Sequence, residues 1–283
     1  MTYHRRRKEI FSGAGMVRAG VAFVKKDFIE DTSYRLAFAI DLAGAFVEIT
    51  LFYFIASLIG TRVGGSPVPG SNDYFPFILV GIAFIRFTNS SMRSFAHKIQ
   101  DYQVTGTLEA MLSTPTSMFR ILFGSVLWQH LYLIFVAAAY FLLGFIVFGL
   151  DLTRANWLSV ALVLVLTVSA FSCLGILAAS FIMFHKRGDP ILWLFGIVSS
   201  LLGGVYFPAD ILPLWLRRLS DYVPITYTLK AMRGALLEGA SLSDIMPQVA
   251  VLLAFSLVLM PVSLGSFRYS VRKAREAGIL SHF

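Results

Sequence analysis

The chain has 283 residues, of which 57% are hydrophobic and only 14% are charged. A soluble domain of this size has no core large enough to hide that much apolar surface, so the bilayer is its solvent. The net charge of +8 fits basic loops held near anionic lipid and not a nucleic-acid partner. The single cysteine, Cys173 in an apolar run, excludes an internal disulfide and a thiolate metal cluster.

The first segment, residues 1–36, is basic. Arg5, Arg6, Arg7 and Lys8 are not followed directly by an apolar core and a small-residue cleavage site, which argues against a cleaved signal peptide. Val17, Val21, Val24 and Phe28 recur at helical spacing, with Arg18, Lys25, Lys26 and Asp27 mostly on other faces. This pattern predicts an amphipathic helix lying on the inner membrane surface.

Crossing a hydrocarbon core of about 30 Å takes about 20 apolar residues. Six runs are candidates: Ala37–Ile59, Phe75–Phe95, Phe119–Leu150, Trp157–Phe184, Pro190–Tyr206 and Ile245–Phe267. The fifth is short and runs into irregular sequence, so it need not cross as one straight rod. The expected fold is an all-α polytopic membrane protein, with a six-span transmembrane domain at 37–267 and a basic cytoplasmic tail at 268–283. Lys and Arg are concentrated in the N-terminal segment, after the second and fourth runs, and in the tail. That bias places both termini in the cytoplasm. The first outer loop, Gly60 to Asn72, is turn chemistry with no visible site.

Four charges fall inside the first two runs. Asp41 and Glu48 are seven residues apart on one helix face, as are Arg86 and Arg93. Two antiparallel rods would bring Asp41 opposite Arg93 and Glu48 opposite Arg86, and lone ions in lipid are expensive. The expectation is two ion pairs, Asp41–Arg93 and Glu48–Arg86, that staple the spans. An ion relay through the same residues is the functional alternative.

Between the second and third runs lies Gly106-Thr107-Leu108-Glu109-Ala110-Met111-Leu112-Ser113-Thr114-Pro115. Gly106 breaks one helix and Pro115 ends the next; Thr105 or Thr107 supplies a cap, and Glu109 sits in the first turn where the helix dipole favours an anion. The connection from Ala96 to Met118 is long for a plain turn. A short rigid helix at about 105–115, on the cytoplasmic side, suits a membrane protein driven by a separate soluble motor.

The stretch Gly203-Gly204-Val205-Tyr206-Phe207-Pro208 through Pro213 contains helix breakers. Leu212, Trp215, Leu216, Leu219 and Tyr222 then form an apolar stripe, and a second short helix follows Pro224, from Thr226 to Leu237. This predicts a helical hairpin re-entering the outer leaflet at about 207–238, before the last span. The sequence has no Gly-x-x-x-x-Gly-Lys-Ser/Thr phosphate loop, so ATP is not bound in the usual way. Its histidines (His4, His97, His130, His185, His282) have no metal-site spacing.

Taken together, these features resemble the membrane subunit of type-2 ABC exporters over about the whole chain. The likeness rests on Gly106-Thr107-Leu108-Glu109 with Ser113-Thr114-Pro115, on Gly204 through Pro208 with Leu212-Pro213, and on Pro224-Ile225-Thr226-Tyr227 followed by Arg233. The resemblance implies six spans, a second permease subunit (identical or homologous) and two ABC ATPase subunits that carry ATP and Mg. In it, Gly106, Thr107, Leu108, Glu109, Met111 and Leu112 form a coupling helix seated on the ATPase. The loop of His185, Lys186 and Arg187 is a second contact. Gly203, Gly204, Tyr206, Phe207, Pro208, Pro213, Pro224 and Arg233 belong to the outer gate.

The function expected is a permease subunit, not itself an enzyme, of an ATP-driven exporter in the bacterial inner membrane. Its cargo is an amphipathic or hydrophobic molecule such as a drug or lipid. A permease for polysaccharide or lipid-linked glycan is the alternative. An ion-coupled secondary transporter using Asp41, Glu48, Arg86 and Arg93 is the alternative from another class.

Overall fold

The computed structural model describes residues 21–22, 24–29, 35–62, 74–107, 111, 118–185 and 189–276. Among them every regular element is helical. The main helices are α1 (Arg35–Arg62), α2 (Tyr74–Val104), α3 (Met118–Phe148), α4 (Trp157–His185) and α5 (Asp189–Leu202). A 3₁₀ turn (Ala209–Ile211), α6 (Leu214–Ser220), α7 (Pro224–Arg233), a π turn (Gly234–Glu238) and α8 (Met246–Glu276) follow.

Five helices, α1 to α4 and α8, are long and apolar enough to cross a membrane. The protein is an all-helical, multi-pass membrane protein. The fifth candidate run behaves differently from the others. α5 has 14 residues and reaches about 21 Å at 1.5 Å per residue, short of the hydrocarbon thickness. Its end at Leu202 coincides with Gly203 and Gly204, the latter in the left-handed region at φ +73°.

The bundle is organised around α2 and α4. α4 packs along both α2 and α8, and α3 lies against α2. In α2, 72% of the most apolar window is buried, against 17% in α1 and α8. Side chains such as Phe84, Met92, Ala170, Phe171, Leu229 and Leu252 form the central core, which joins α2, α4, α7 and α8. A second cluster at one end joins Phe95, Ile99 and Tyr102 of α2 to Ile176, Met183 and Phe267. α1 packs mainly on α2 and α3 and exposes Leu36, Ile40, Val47, Leu51, Phe54 and Leu58. In water such a face would aggregate; in a bilayer it is solvated by acyl chains.

Residues 24–29 are helical. Phe28 and Ile29 are exposed, while Asp27 is buried against α2. Its carboxylate accepts from Lys98 Nζ and Lys26 Nζ, each at 3.3 Å. Phe28 meets the edge of Trp128 on α3 at 5.0 Å.

Candidate functional site

The intramembrane charges come together on α1, α2 and α3, but not as two separate pairs. Arg86 Nη1 donates to Glu48 Oε2 at 3.4 Å and Arg86 Nη2 donates to Asp41 Oδ1 at 3.1 Å. One arginine therefore serves both acids. The Asp41–Arg93 pair expected from the sequence does not form: Arg93 makes no ion pair among the described residues. The physical reason is the guanidinium fork, which offers donors along two edges and so can hold two carboxylates.

Two residues that the sequence reading missed complete the cluster. Tyr140 hydroxyl donates to Glu48 Oε2 at 2.6 Å and accepts from Arg86 Nη1 at 3.1 Å, and Tyr132 hydroxyl donates to Asp41 Oδ2 at 2.9 Å. The available signal was their spacing of eight residues, about two helical turns, in the otherwise apolar second half of α3. The cluster sits on the bundle's flank: the side chains of Asp41, Glu48 and Arg86 are 50%, 35% and 34% exposed.

The second constellation is the segment after α5. Tyr74 hydroxyl donates to the Tyr206 carbonyl at 3.0 Å, and the Tyr206 ring stacks on Phe52 of α1 at 5.9 Å. Pro208 precedes the 3₁₀ turn and Pro213 precedes α6. Pro224 opens α7 at a position whose N–H would be unpaired in any helix. Ser220 and Thr226 exchange hydroxyl contacts at 3.1 Å across the bend between α6 and α7. α6 keeps Leu214, Trp215 and Leu219 exposed, so its apolar stripe faces outward.

Arg233, at the end of α7, ties this hairpin to α2. Its Nε and Nη2 donate to the Phe77 carbonyl at 3.2 and 3.1 Å, and Nη2 also donates to the Val205 carbonyl at 3.2 Å. The guanidinium lies 3.4 Å from the centroid of the Phe77 ring. Gly81 makes this approach possible, because a Cβ there would collide with the Val205 carbonyl. Gly203, Gly204, Tyr206, Pro208, Pro213, Pro224 and Arg233 thus share one substructure, with Phe207 half-buried between them.

At its far end, α2 stops at Val104. Thr105 N–H closes on the Asp101 carbonyl at 2.9 Å, and Gly106 follows in the left-handed region at φ +69°. Thr107 hydroxyl contacts Thr105 hydroxyl at 2.9 Å. Met111 packs beside the Phe95–Tyr102 cluster. Leu108, Glu109, Leu112, Lys186 and Arg187 lie outside the described residues, as does the side chain of His185.

With this architecture in view, comparison with known proteins is decisive. The profile of the ABC-2 type transporter family matches residues 25–237. The chain belongs to that family. This ABC-2 permease is 25% identical over 194 residues to the linearmycin resistance permease protein LnrN of Bacillus subtilis (strain 168). That match covers 65% of this chain and 47% of LnrN, so the chain spans about half of that relative's length. It is also 27% identical over 194 residues to the inner membrane transport permease YadH of Escherichia coli (strain K12), covering 66% of this chain and 72% of YadH. The ABC-2 match takes in the charge cluster, the turn at Gly106 and the hairpin up to Leu237. The family is a transport membrane subunit and not itself an ATPase.

Proposed function

We propose that this ABC-2 permease forms one half of the translocation path of an ATP-driven exporter for an amphipathic or hydrophobic molecule. A second permease subunit supplies the other half. Two ABC ATPase subunits, which carry ATP and Mg, drive the pair from the cytoplasmic side of the bacterial inner membrane, where both termini lie.

The observation that carries this reading is the end of α2. The most deeply buried long helix of the bundle terminates in a glycine-made turn and leads into the segment Thr107–Ser113. A push on that segment acts on α2 and, through α2, on its packed neighbours α3 and α4 and on α7 at the opposite end. The likeness of this segment to a coupling helix gives the push a source. The half-exposed Asp41–Glu48–Arg86 cluster supports the second subunit. Acyl chains cover charges poorly, so the α1 flank suits a subunit interface or an aqueous path. The permease contributes different affinities for cargo in two states and no bond chemistry.

The test is Glu109→Arg. The variant inserts in the membrane and assembles its bundle as the parent does, yet transport falls and ATP turnover of the assembled transporter no longer responds to cargo. Parental transport and cargo-stimulated turnover in this variant would remove the coupling role. The drug- or lipid-like cargo is favoured over a glycan by the apolar faces that line the bundle, among them Leu192, Trp193 and Ile197 of α5.

A further inference from the structure

We infer that Arg93 is the recognition site for the anionic head of an amphiphile, a phosphate or carboxylate borne on an apolar tail; this rests on, and narrows, the amphipathic cargo proposed above. Arg86, Asn89, Arg93 and His97 recur at three- and four-residue steps and therefore share one face of α2. The opposite face is the one buried in the bundle, through Phe84, Phe87, Met92 and Phe95.

The polar face opens on two cavities that meet at Arg93. One, of about 340 Å³, is lined by Glu48, Arg86, Asn89 and Arg93 on one side and by Leu192, Trp193 and Ile197 of α5 on the other. The second, of about 420 Å³, is lined by Ser90, Arg93, Ser94, His97, Lys98, Asp101 and Gln129. Each is within the size range of small-ligand sites.

The charges around Arg93 are engaged elsewhere. Glu48 and Asp41 are held by Arg86 and the two tyrosines. Lys98 is held by Asp27 at 3.3 Å. Asp101 shares the second cavity but is exposed two turns further along α2. Arg93, unlike Arg86, has no carboxylate among the described residues, although it sits inside a membrane-crossing helix.

A cation in a membrane-crossing helix that finds no carboxylate among the described residues is costly to hold in lipid, and such residues mark ligand paths. The guanidinium fork matches an oxyanion bidentately, and Asn89 and Ser90 stand on either side as neutral hydrogen-bonding groups. The wall of Leu192, Trp193 and Ile197 supplies the apolar contact a tail requires. Head and tail are thus provided for by two different helices, α2 and α5.

The test uses the purified full-length permease in phosphatidylcholine nanodiscs and reads quenching of Trp193 by lipids with brominated acyl chains; Trp193→Phe defines the background. Brominated phosphatidic acid is expected to associate about tenfold more strongly than brominated phosphatidylcholine, the gain of a charge-assisted pair in a low-dielectric site. Arg93→Gln brings that ratio to about one; Arg93→Lys, which keeps the charge but loses the two-pronged geometry, keeps part of the preference, and Arg218→Gln, on exposed α6, keeps all of it. Inorganic phosphate at matched concentration does not displace the lipid. The inference is overturned by any of four results: no preference for phosphatidic acid, equal loss in Arg93→Gln and Arg93→Lys, equal loss in Arg218→Gln, or displacement by inorganic phosphate alone. A fifth outcome also overturns it: Arg93→Gln converts a dimer to monomers with the lipid ratio unchanged, which assigns Arg93 to a subunit contact. The assay contains no ATPase, so a failure of the coupling proposal leaves its result intact.

Discussion

At the residue scale, the Arg86 cluster shows how a membrane protein accommodates charge. Two acids share one base, and two tyrosine hydroxyls each donate a further hydrogen bond to one of them. Tyr140 is fully buried and holds the shortest of these bonds. Tyr140→Phe keeps the ring and removes the hydroxyl, leaving Glu48 short of a donor. It should lower stability by about 1.5–3 kcal/mol, the range for hydrogen bonds to charged groups, read as a reduced unfolding temperature in detergent. A melting temperature equal to the parent's would show the hydroxyl to be idle. Outside the membrane-crossing segments, two exposed carboxylates cap their own loops. The Ser241 hydroxyl, at 2.6 Å, and its N–H, at 2.9 Å, hold the Asp244 carboxyl below the usual carboxylate range. The Thr153 hydroxyl, at 2.6 Å, and its N–H, at 2.9 Å, do the same for Asp151. A depressed folded-state pKa means that the caps contribute fully above the unfolded value, about pH 4, and release as pH falls through the folded one. Local hydrogen exchange around Ser241 should therefore quicken only below about pH 4, and Asp244→Asn should exchange fast at neutral pH as well.

At the scale of elements, the hairpin is held to α2 by a cation and not by apolar packing alone. Arg233 donates to the Phe77 and Val205 carbonyls, and its removal leaves the buried Val205 carbonyl without that donor. Arg233→Met should raise hydrogen exchange across Pro224–Arg233 by an amount equivalent to about 2 kcal/mol or more, with α4 and α8 unchanged. Gly81→Ala attacks the same junction from the α2 side by placing a methyl group against the Val205 carbonyl. It should lower the unfolding temperature, at a cost of about 1–3 kcal/mol typical of overpacking. The helices were legible in the sequence because apolar length and the breakers at Gly106, Gly203, Pro213 and Pro224 leave a signature in residue types. The two short helices that follow Gly203 were legible for the same reason. Arg233 was picked out by its place in a motif, but its partners are backbone carbonyls, which no residue type announces. The partner of Asp41 was misassigned because counting rise along two rods gives each acid one base. That count ignored the two-edged guanidinium and the tyrosines arriving from a third helix.

At the scale of the whole molecule, a buried strut, α2, links three features. One end meets Tyr206 and Arg233, its middle carries Arg86 and Arg93, and its other end turns at Gly106 towards the segment proposed to meet an ATPase. The helical segment 24–29 is fastened to the same strut through Asp27 and Lys98. A displacement at Thr107 would therefore reach Arg93 and the α6–α7 hairpin through one packed helix rather than through loops. The sequence alone could order these features along the chain; that they share one helix and its immediate contacts is a property of the packed bundle. The central claim is that this chain is a conduit moved by nucleotide-driven subunits it does not encode. The most direct measurement is Mg-ATP hydrolysis in the permease purified from its own membranes in mild detergent, compared between the parent chain and Glu109→Arg. The account predicts hydrolysis that travels with the parent permease and is uncoupled from cargo in the variant. Uphill transport by vesicles containing this chain alone, with no hydrolytic activity attached, would contradict it.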